Sequence, residues 1–175
     1  MGVSLSLICE LAASKFGHKK KYKLIHMKLR LTILLLVLMS GNIKAQKQEN
    51  QISEMLSLFV SNLNNLELTQ FIEHFSDNAS VFFPRNTFSI KRVKGKDSIK
   101  KEFEVFFNNI RQNREGPPYL NIIPKDREIE LYGKLAVVTL HFEMGKEFHR
   151  RTMVLQKNGD QWKIIHFHAS FLERE

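Results

Sequence analysis

The sequence predicts an α+β domain in which three helices pack on one face of a strongly curved antiparallel sheet. Apolar residues recur at helical spacing in the first half of the chain. The last third instead alternates apolar and polar residues between short turn sequences. With 175 residues, 43% hydrophobic content and 14 phenylalanines, the chain can form one domain with a sizeable core.

Helical periodicity marks three segments before residue 116. The first helix is predicted over 51–63 and the second over 66–75. The third begins at Asp97 or Ser98, either of which is a suitable N-cap, and ends before the Gly-Pro-Pro sequence at 116–118. Its apolar face comprises Ile99, Phe103, Phe106, Phe107 and Ile110, which predicts that this helix packs on the core.

Strands are predicted on both sides of the third helix. Two short ones, Ala79–Phe83 and Phe88–Val93, precede it. A meander of four longer strands follows it, with Gly-containing turns between the strands. These four are predicted over 125–132, 135–144, 147–157 and 161–171.

The last strand has the most informative pattern. Strict alternation divides it into two faces. One face comprises Trp162, Ile164, His166, His168 and Ser170, and the other Lys163, Ile165, Phe167, Ala169 and Phe171. The first face begins apolar and becomes polar, which is typical of a strand in the wall of a pocket.

The N-terminal part predicts export. Residues 27–45 combine a basic start, a nine-residue apolar run and a small residue before Gln46, which is the pattern of a signal peptide. The run is shorter than the roughly 20 apolar residues of a membrane span, although a membrane anchor or a buried helix is the alternative. Residues 1–26 are interpreted as a disordered leader or a mis-assigned start, with Met27 as initiator, and 46–50 as a polar linker. The expected location is periplasmic or secreted, with no stable membrane anchor after processing.

Charge and cysteine content exclude several classes of function. The formal net charge is +9, but residues 1–45 carry eight basic residues and one acidic residue, and 46–175 carry nineteen and seventeen. The globular part is therefore nearly neutral, which argues against nucleic-acid binding. Cys9 is the only cysteine, so the rest of the chain has no disulfide and no cysteine nucleophile or metal ligand.

The order of elements resembles the nuclear transport factor 2-like (NTF2-like, SnoaL-like) superfamily over residues 51–172. The local matches are Phe82-Phe83-Pro84 with Val93-x-Gly95-x-Asp97, Phe103-x-x-Phe106-Phe107, and Gly159-x-x-Trp162. The segment Trp162-x-x-x-His166-Phe167-His168-x-Ser170 is similar to the end of the calcium/calmodulin-dependent kinase II association domain. The resemblance implies a cone-shaped fold that hosts enzymes, ligand-binding proteins and oligomerisation modules.

The expected pocket combines imidazoles, an arginine and an aromatic wall. His166 and His168, with Arg150 or Arg151, are predicted to line its open end, because one of two adjacent arginines on a strand must point inward. An inward arginine needs an anionic partner, either a carboxylate of a neighbouring strand or a bound anion; surface pairing is the alternative. The expected dry wall comprises Phe82, Phe106 and Trp162.

Three functions remain open. The first is the binding of a small, anionic, amphipathic molecule. The second is an enzyme of isomerase, dehydratase or hydrolase type with His166 or His168 as acid or base. The third is an oligomerisation module, in which the same histidines are structural polar residues. The resemblance to ketosteroid isomerases implies a tyrosine oxyanion donor, and the absence of tyrosine between Gln46 and Pro118 argues against that chemistry.

No metal or other cofactor is predicted. His166 and His168 would need a third ligand, and no spacing demands His141, Glu143 or His149. A homodimer or larger homo-oligomer is expected, because a half-cone leaves the outer face of its sheet open. Ile165, Phe167 and Phe171, or their counterparts on the opposite face, would cover it.

Overall fold

The structure is a computed structural model that describes residues 44–83 and 92–171. The leader predicted over 1–26 and nearly all of the signal peptide predicted over 27–45 lie outside the described residues. Most of the strand predicted over Phe88–Val93 also lies outside them.

Three helices precede the long strands. Helix α1 covers residues 44–64, so the segment 46–50, whose composition predicted a linker, is helical. Helix α2 is Leu68–Ile72, shorter than predicted, because Phe75 already belongs to a strand. Helix α3 is Lys96–Asn113.

The N-cap of α3 is Gly95, not Asp97 or Ser98. Its φ of 87° lies in a region that side chains with a Cβ avoid. The Gly95 amide donates a hydrogen bond of 2.9 Å to the carbonyl of Ala79 in the first strand. Backbone geometry at this junction thus fixes where α3 begins.

Six strands form one sheet. The two short ones are β1, Phe75–Phe82, and β2, Val93–Lys94. The four long ones agree with the predicted meander to within two residues at each end. They are β3, Ile123–Tyr132; β4, Leu135–Met144; β5, Glu147–Asn158; and β6, Gln161–Phe171.

The spatial order of the strands is β2-β1-β6-β5-β4-β3. All neighbours are antiparallel, as predicted for the sheet, except β1 and β6, which pair in parallel. Parallel neighbours need a long crossover connection. Here that connection contains α3 and four strands, β2 to β5. Hairpin patterns in a sequence indicate only partners that are close along the chain, so they did not predict this pair.

A β-bulge in β6 changes which side chains share a face. Opposite β5, Leu155 pairs with Ile164 but Val154 pairs with His166, so Ile165 is an additional residue. Side chains beyond it therefore move to the other face. The prediction that Trp162 and Ile164 share a face with His166 and His168 is wrong for this reason.

The core lies between the helices and the face of the sheet that carries Trp162, Ile164, Phe167 and Ala169, here called the inner face. The inward side of β4 was predicted correctly, from Ala136 through Phe142 to the half-buried Met144. In α3, Phe103 and Phe107 are buried and Phe106 is partly buried, as predicted. Among the described residues, no helix is both long and apolar enough to cross a membrane.

One core contact makes stability depend on pH. His74 is half-buried between α2 and β1, with Nε2 3.1 Å from the Asn62 amide nitrogen and its ring against Phe59. Burial, reinforced by the charge of Lys163, lowers the pKa of His74 to about 4. The imidazole is therefore neutral at pH 7 and accepts a hydrogen bond from the amide.

We expect the free energy of unfolding to fall as the pH drops from the unfolded-state pKa of about 6.5 towards 4. In that window the unfolded chain takes up a proton at His74 that the folded chain does not. The expected loss is about 1–2 kcal/mol, discounted for partial solvent exposure. Urea unfolding at about pH 7 and about pH 4.5 measures it. His74→Gln should reduce the dependence, with the remainder due to His149 and His166, whose pKa values burial also lowers. His168→Gln, at an exposed position, should leave it unchanged; equal slopes in both variants would contradict the assignment.

Candidate functional site

The more enclosed and more apolar of two cavities, here called the main cavity, lies between the helices and the inner face of the sheet; its volume is about 170 Å³, against about 400 Å³ for the more open one. The walls of the main cavity are mostly apolar. Its lining comprises Phe59, Leu63, Phe71, Phe83, Phe103, Phe106, Leu120, Ile122, Phe142, Met144, Glu147, His149, Arg151, Phe167, Ala169 and Phe171.

Among the described residues, the ionisable side chains of this lining all come from strand β5. Glu147, His149 and Arg151 alternate along the strand and therefore share its inner face. We call them the polar row. Ala169 lies opposite Arg151 on β6, and a side chain of this size leaves room for the guanidinium.

Arg151 places a cation in the aromatic wall. Its Cζ lies 5.1 Å from the centre of the Phe142 ring. One terminal nitrogen donates to the carbonyl oxygens of Arg150, at 2.8 Å, and Ser170, at 3.3 Å. Burial lowers the pKa of Arg151 to about 10, so the group stays charged at pH 7. Within 44–83 and 92–171, no carboxylate lies within 4.0 Å of it.

His149 is the most deeply buried polar side chain of the described core, at 3% exposure. Neither ring nitrogen has a hydrogen-bond partner within the described part of the chain. A Glu147 carboxylate oxygen lies 3.3 Å from Nε2 but outside hydrogen-bond geometry. Burial, with the nearby charge of Arg151, lowers the pKa of His149, and Glu147 opposes this shift only in part. The imidazole is therefore neutral at pH 7.

Two of the predicted site residues line this cavity. Arg151 is the inward member of the arginine pair, and Arg150 is exposed on the opposite face. Phe106 lines the cavity from α3.

Four predicted residues lie together on the outer face of the sheet, away from the cavity. The ring of Phe82 lies 5.8 Å from that of His166 and 5.9 Å from that of His168. His166 Nδ1 lies 2.8 Å from the Ser80 hydroxyl oxygen. Burial, then the charges of His168 and Arg92, lowers the pKa of His166. Arg150 is the fourth residue of this face, opposite Ser170 in register.

Trp162 lines a different depression. It is buried at 4% exposure and lines the more open cavity together with Glu54, Glu73 and His74. Its indole Nε1 has no hydrogen-bond partner among the described residues. The predicted dry wall of Phe82, Phe106 and Trp162 is therefore divided among three places.

Sequence reasoning considered His149 only as a third metal ligand. A signal for the correct face was nevertheless present in β6. The adjacent apolar pair Ile164-Ile165 interrupts strict alternation, and a core-facing set of Trp162, Ile164, Phe167 and Ala169 has spacings of two, three and two. The spacing of three indicates a bulge. A prediction that included this bulge would have placed His149 and Arg151 on the same face as Phe167 and Ala169.

Within the described ranges, no group of three or more His, Cys, Asp or Glu side chains is placed to hold a metal ion.

Comparison with known proteins agrees with this architecture. The family model of the SnoaL-like domain matches residues 52–173. No curated protein matches the chain.

Solved structures resemble the chain at low sequence identity. An NTF2-like protein of unknown function from Pseudomonas putida KT2440 has a TM-score of 0.60 at 19% identity, covering 71% of this chain and 87% of its own. A proposed dehydratase of the NTF2-like family from Streptomyces avermitilis has a TM-score of 0.62 at 14% identity, covering 74% and 99%. A proposed calcium/calmodulin-dependent protein kinase II association domain from Xanthomonas campestris has a TM-score of 0.55 at 15% identity, covering 71% and 87%. These similarities confirm the NTF2-like fold.

Proposed function

Because this chain belongs to the SnoaL-like domain family, we propose that it binds a small, anionic, amphipathic molecule in the main cavity. The observation that carries the proposal is the position of Arg151. It is a charged guanidinium in an aromatic wall, with no carboxylate partner within the described ranges. The guanidinium is partly buried, and its hydrogen bonds go to backbone carbonyl oxygens. Partly burying a charge without a charged partner costs free energy, and a bound carboxylate offsets that cost with charge-assisted hydrogen bonds.

The cavity walls determine the size and polarity of the rest of the ligand. Phenylalanines from all three helices and from β4 and β6 surround the space below Arg151. A cavity of about 170 Å³ is close to the size of an engineered protein cavity that holds one benzene ring. The apolar body of the ligand is therefore about as large as a six-membered ring.

Removing the guanidinium tests the proposal. We expect Arg151→Met to weaken the binding of an apolar carboxylate such as 3-phenylpropanoate by about ten- to a hundredfold, the value of hydrogen bonds to a charged group. Titration calorimetry or NMR measures the change. Arg150→Met is the matched control, because the adjacent arginine lies on the outer face, and it should bind like wild type. Equal affinity in Arg151→Met and wild type would refute the anion site.

The second candidate function is an enzyme of dehydratase or isomerase type in the same cavity. It is favoured by His149, a buried neutral imidazole whose Nδ1 has no hydrogen-bond partner among the described residues and whose Nε2 has only the 3.3 Å contact with Glu147. A neutral imidazole beside a bound anion is suited to proton transfer as a general base. His166 and His168 are poorly placed for this role, since they lie on the outer face.

We also propose that the protein is exported. The basic, apolar and small-residue parts of 27–45 support cleavage before Gln46 and a periplasmic or secreted mature chain. N-terminal sequencing of protein purified from its source is expected to find Gln46 first. Mature protein that retains residues 1–26 would contradict export by this signal.

Self-association through the outer face is the third part of the proposal. The middle of this face carries short uncharged side chains, Val137, Thr139, Thr152 and Val154. Phe82, at 38% exposure, extends the patch towards β1. An interface between proteins typically has few charged residues at its centre and a polar rim. Phe167 and Phe171, which were expected to contribute to the contact, lie on the inner face instead. On the outer face, Val154 and Phe82 are the apolar residues that would contribute to it.

We expect wild-type protein to sediment as a dimer at micromolar concentration and Thr152→Arg as a monomer with unchanged circular dichroism. The arginine would place an unpaired charge in the middle of the contact. Lys100→Glu, on the exposed side of α3, should leave the dimer intact. Wild type that remains monomeric under these conditions would contradict the proposal.

A further inference from the structure

We infer that the ligand carries, beside its carboxylate, a neutral hydroxyl or keto oxygen that hydrogen-bonds to His149. The substrate class would then be small hydroxy- or oxo-monocarboxylates with an apolar body. This inference rests on the proposed function, since it takes the carboxylate to be held by Arg151.

The first observation is the lack of partners for His149. Nearly all buried polar groups in folded proteins have a hydrogen-bond partner. His149 is 3% exposed; Nδ1 has no partner among the described residues, and Nε2 has only the 3.3 Å contact with the Glu147 carboxylate, outside ideal hydrogen-bond geometry. The side chain lies in the cavity wall, so the missing partner is best supplied from within the cavity.

The second observation is the order of charges in the polar row. Arg151 lies on one side of His149, and Glu147 on the other, with a carboxylate oxygen 3.3 Å from Nε2. An anionic group is attracted to the Arg151 end and repelled at the Glu147 end. The group that reaches His149 must therefore be uncharged, which excludes dicarboxylates as preferred ligands.

The third observation is spacing. His149 and Arg151 are two residues apart on one strand, so their Cα atoms are separated by roughly 6.5–7 Å. One small molecule with its two polar groups on neighbouring carbons can contact both side chains. A neutral imidazole has one donor and one acceptor nitrogen, so it can bind a hydroxyl or a carbonyl oxygen.

The test compares three acids that share one apolar body. The probes are 3-phenyllactate, phenylpyruvate and 3-phenylpropanoate, titrated into wild type, His149→Leu and Arg151→Met by calorimetry. In wild type we expect the two oxygenated acids to bind about three- to tenfold more tightly than 3-phenylpropanoate, the net value of one hydrogen bond. In His149→Leu this preference should disappear while 3-phenylpropanoate binds at least as well. In Arg151→Met all three should weaken alike.

A second measurement covers the case in which His149→Leu folds poorly. The imidazole ¹⁵N signals of His149 in wild type should shift with 3-phenyllactate and not with 3-phenylpropanoate. Equal affinities for the three acids, each dependent on Arg151, would overturn the hydrogen bond to His149 and leave the proposed anion site standing. No binding of any acid, or binding that is unaffected by Arg151→Met, would refute the proposed function and the inference with it.

Discussion

The extra residue in β6 is the constraint on which the rest of the structure depends. Ile165 has no direct partner in β5, so the alternation of faces shifts by one residue between Ile164 and His166. Before the bulge, Trp162 and Ile164 face the helices; after it, Phe167 and Ala169 do. Without the shift, the two histidines would point into the core and Phe167 would point outward.

The inner face illustrates how an apolar cavity tolerates a cation. The guanidinium of Arg151 is stabilised by two backbone carbonyl oxygens and by the Phe142 ring, none of which carries a full negative charge. Burial lowers the pKa of Arg151 only to about 10, so the group stays protonated at pH 7, and no carboxylate among the described residues pairs with it. A site of this kind is better suited to an incoming anion than to structural stability, because a partly buried charge without a charged partner adds little to folding.

The outer face has a different character, although it belongs to the same strands. Ser80 and His166 are joined by a 2.8 Å contact, and Phe82 packs against both histidines of β6. In this cluster Ser80 and His166 are half-buried, and Phe82 and His168 are exposed. One sheet therefore presents two chemically distinct surfaces, and each polar residue of β5 and β6 contributes to only one of them. The association-module and pocket functions of this fold are thus compatible within one molecule.

The sequence alone determined the type and number of the elements. Periodicity and turn residues predicted the four-strand meander to within two residues, the core-facing stripe of α3 and the inward side of β4, because these patterns arise from local geometry. The site could be predicted only in part: Arg151 and Phe106 follow from alternation and helical spacing, and His149 was not recognised. The parallel pairing of β1 with β6 and the bulge at Ile165 were decided by the tertiary structure. Both depend on contacts between residues distant in sequence. A one-residue change in register moves every later side chain of the strand to the opposite face of the sheet.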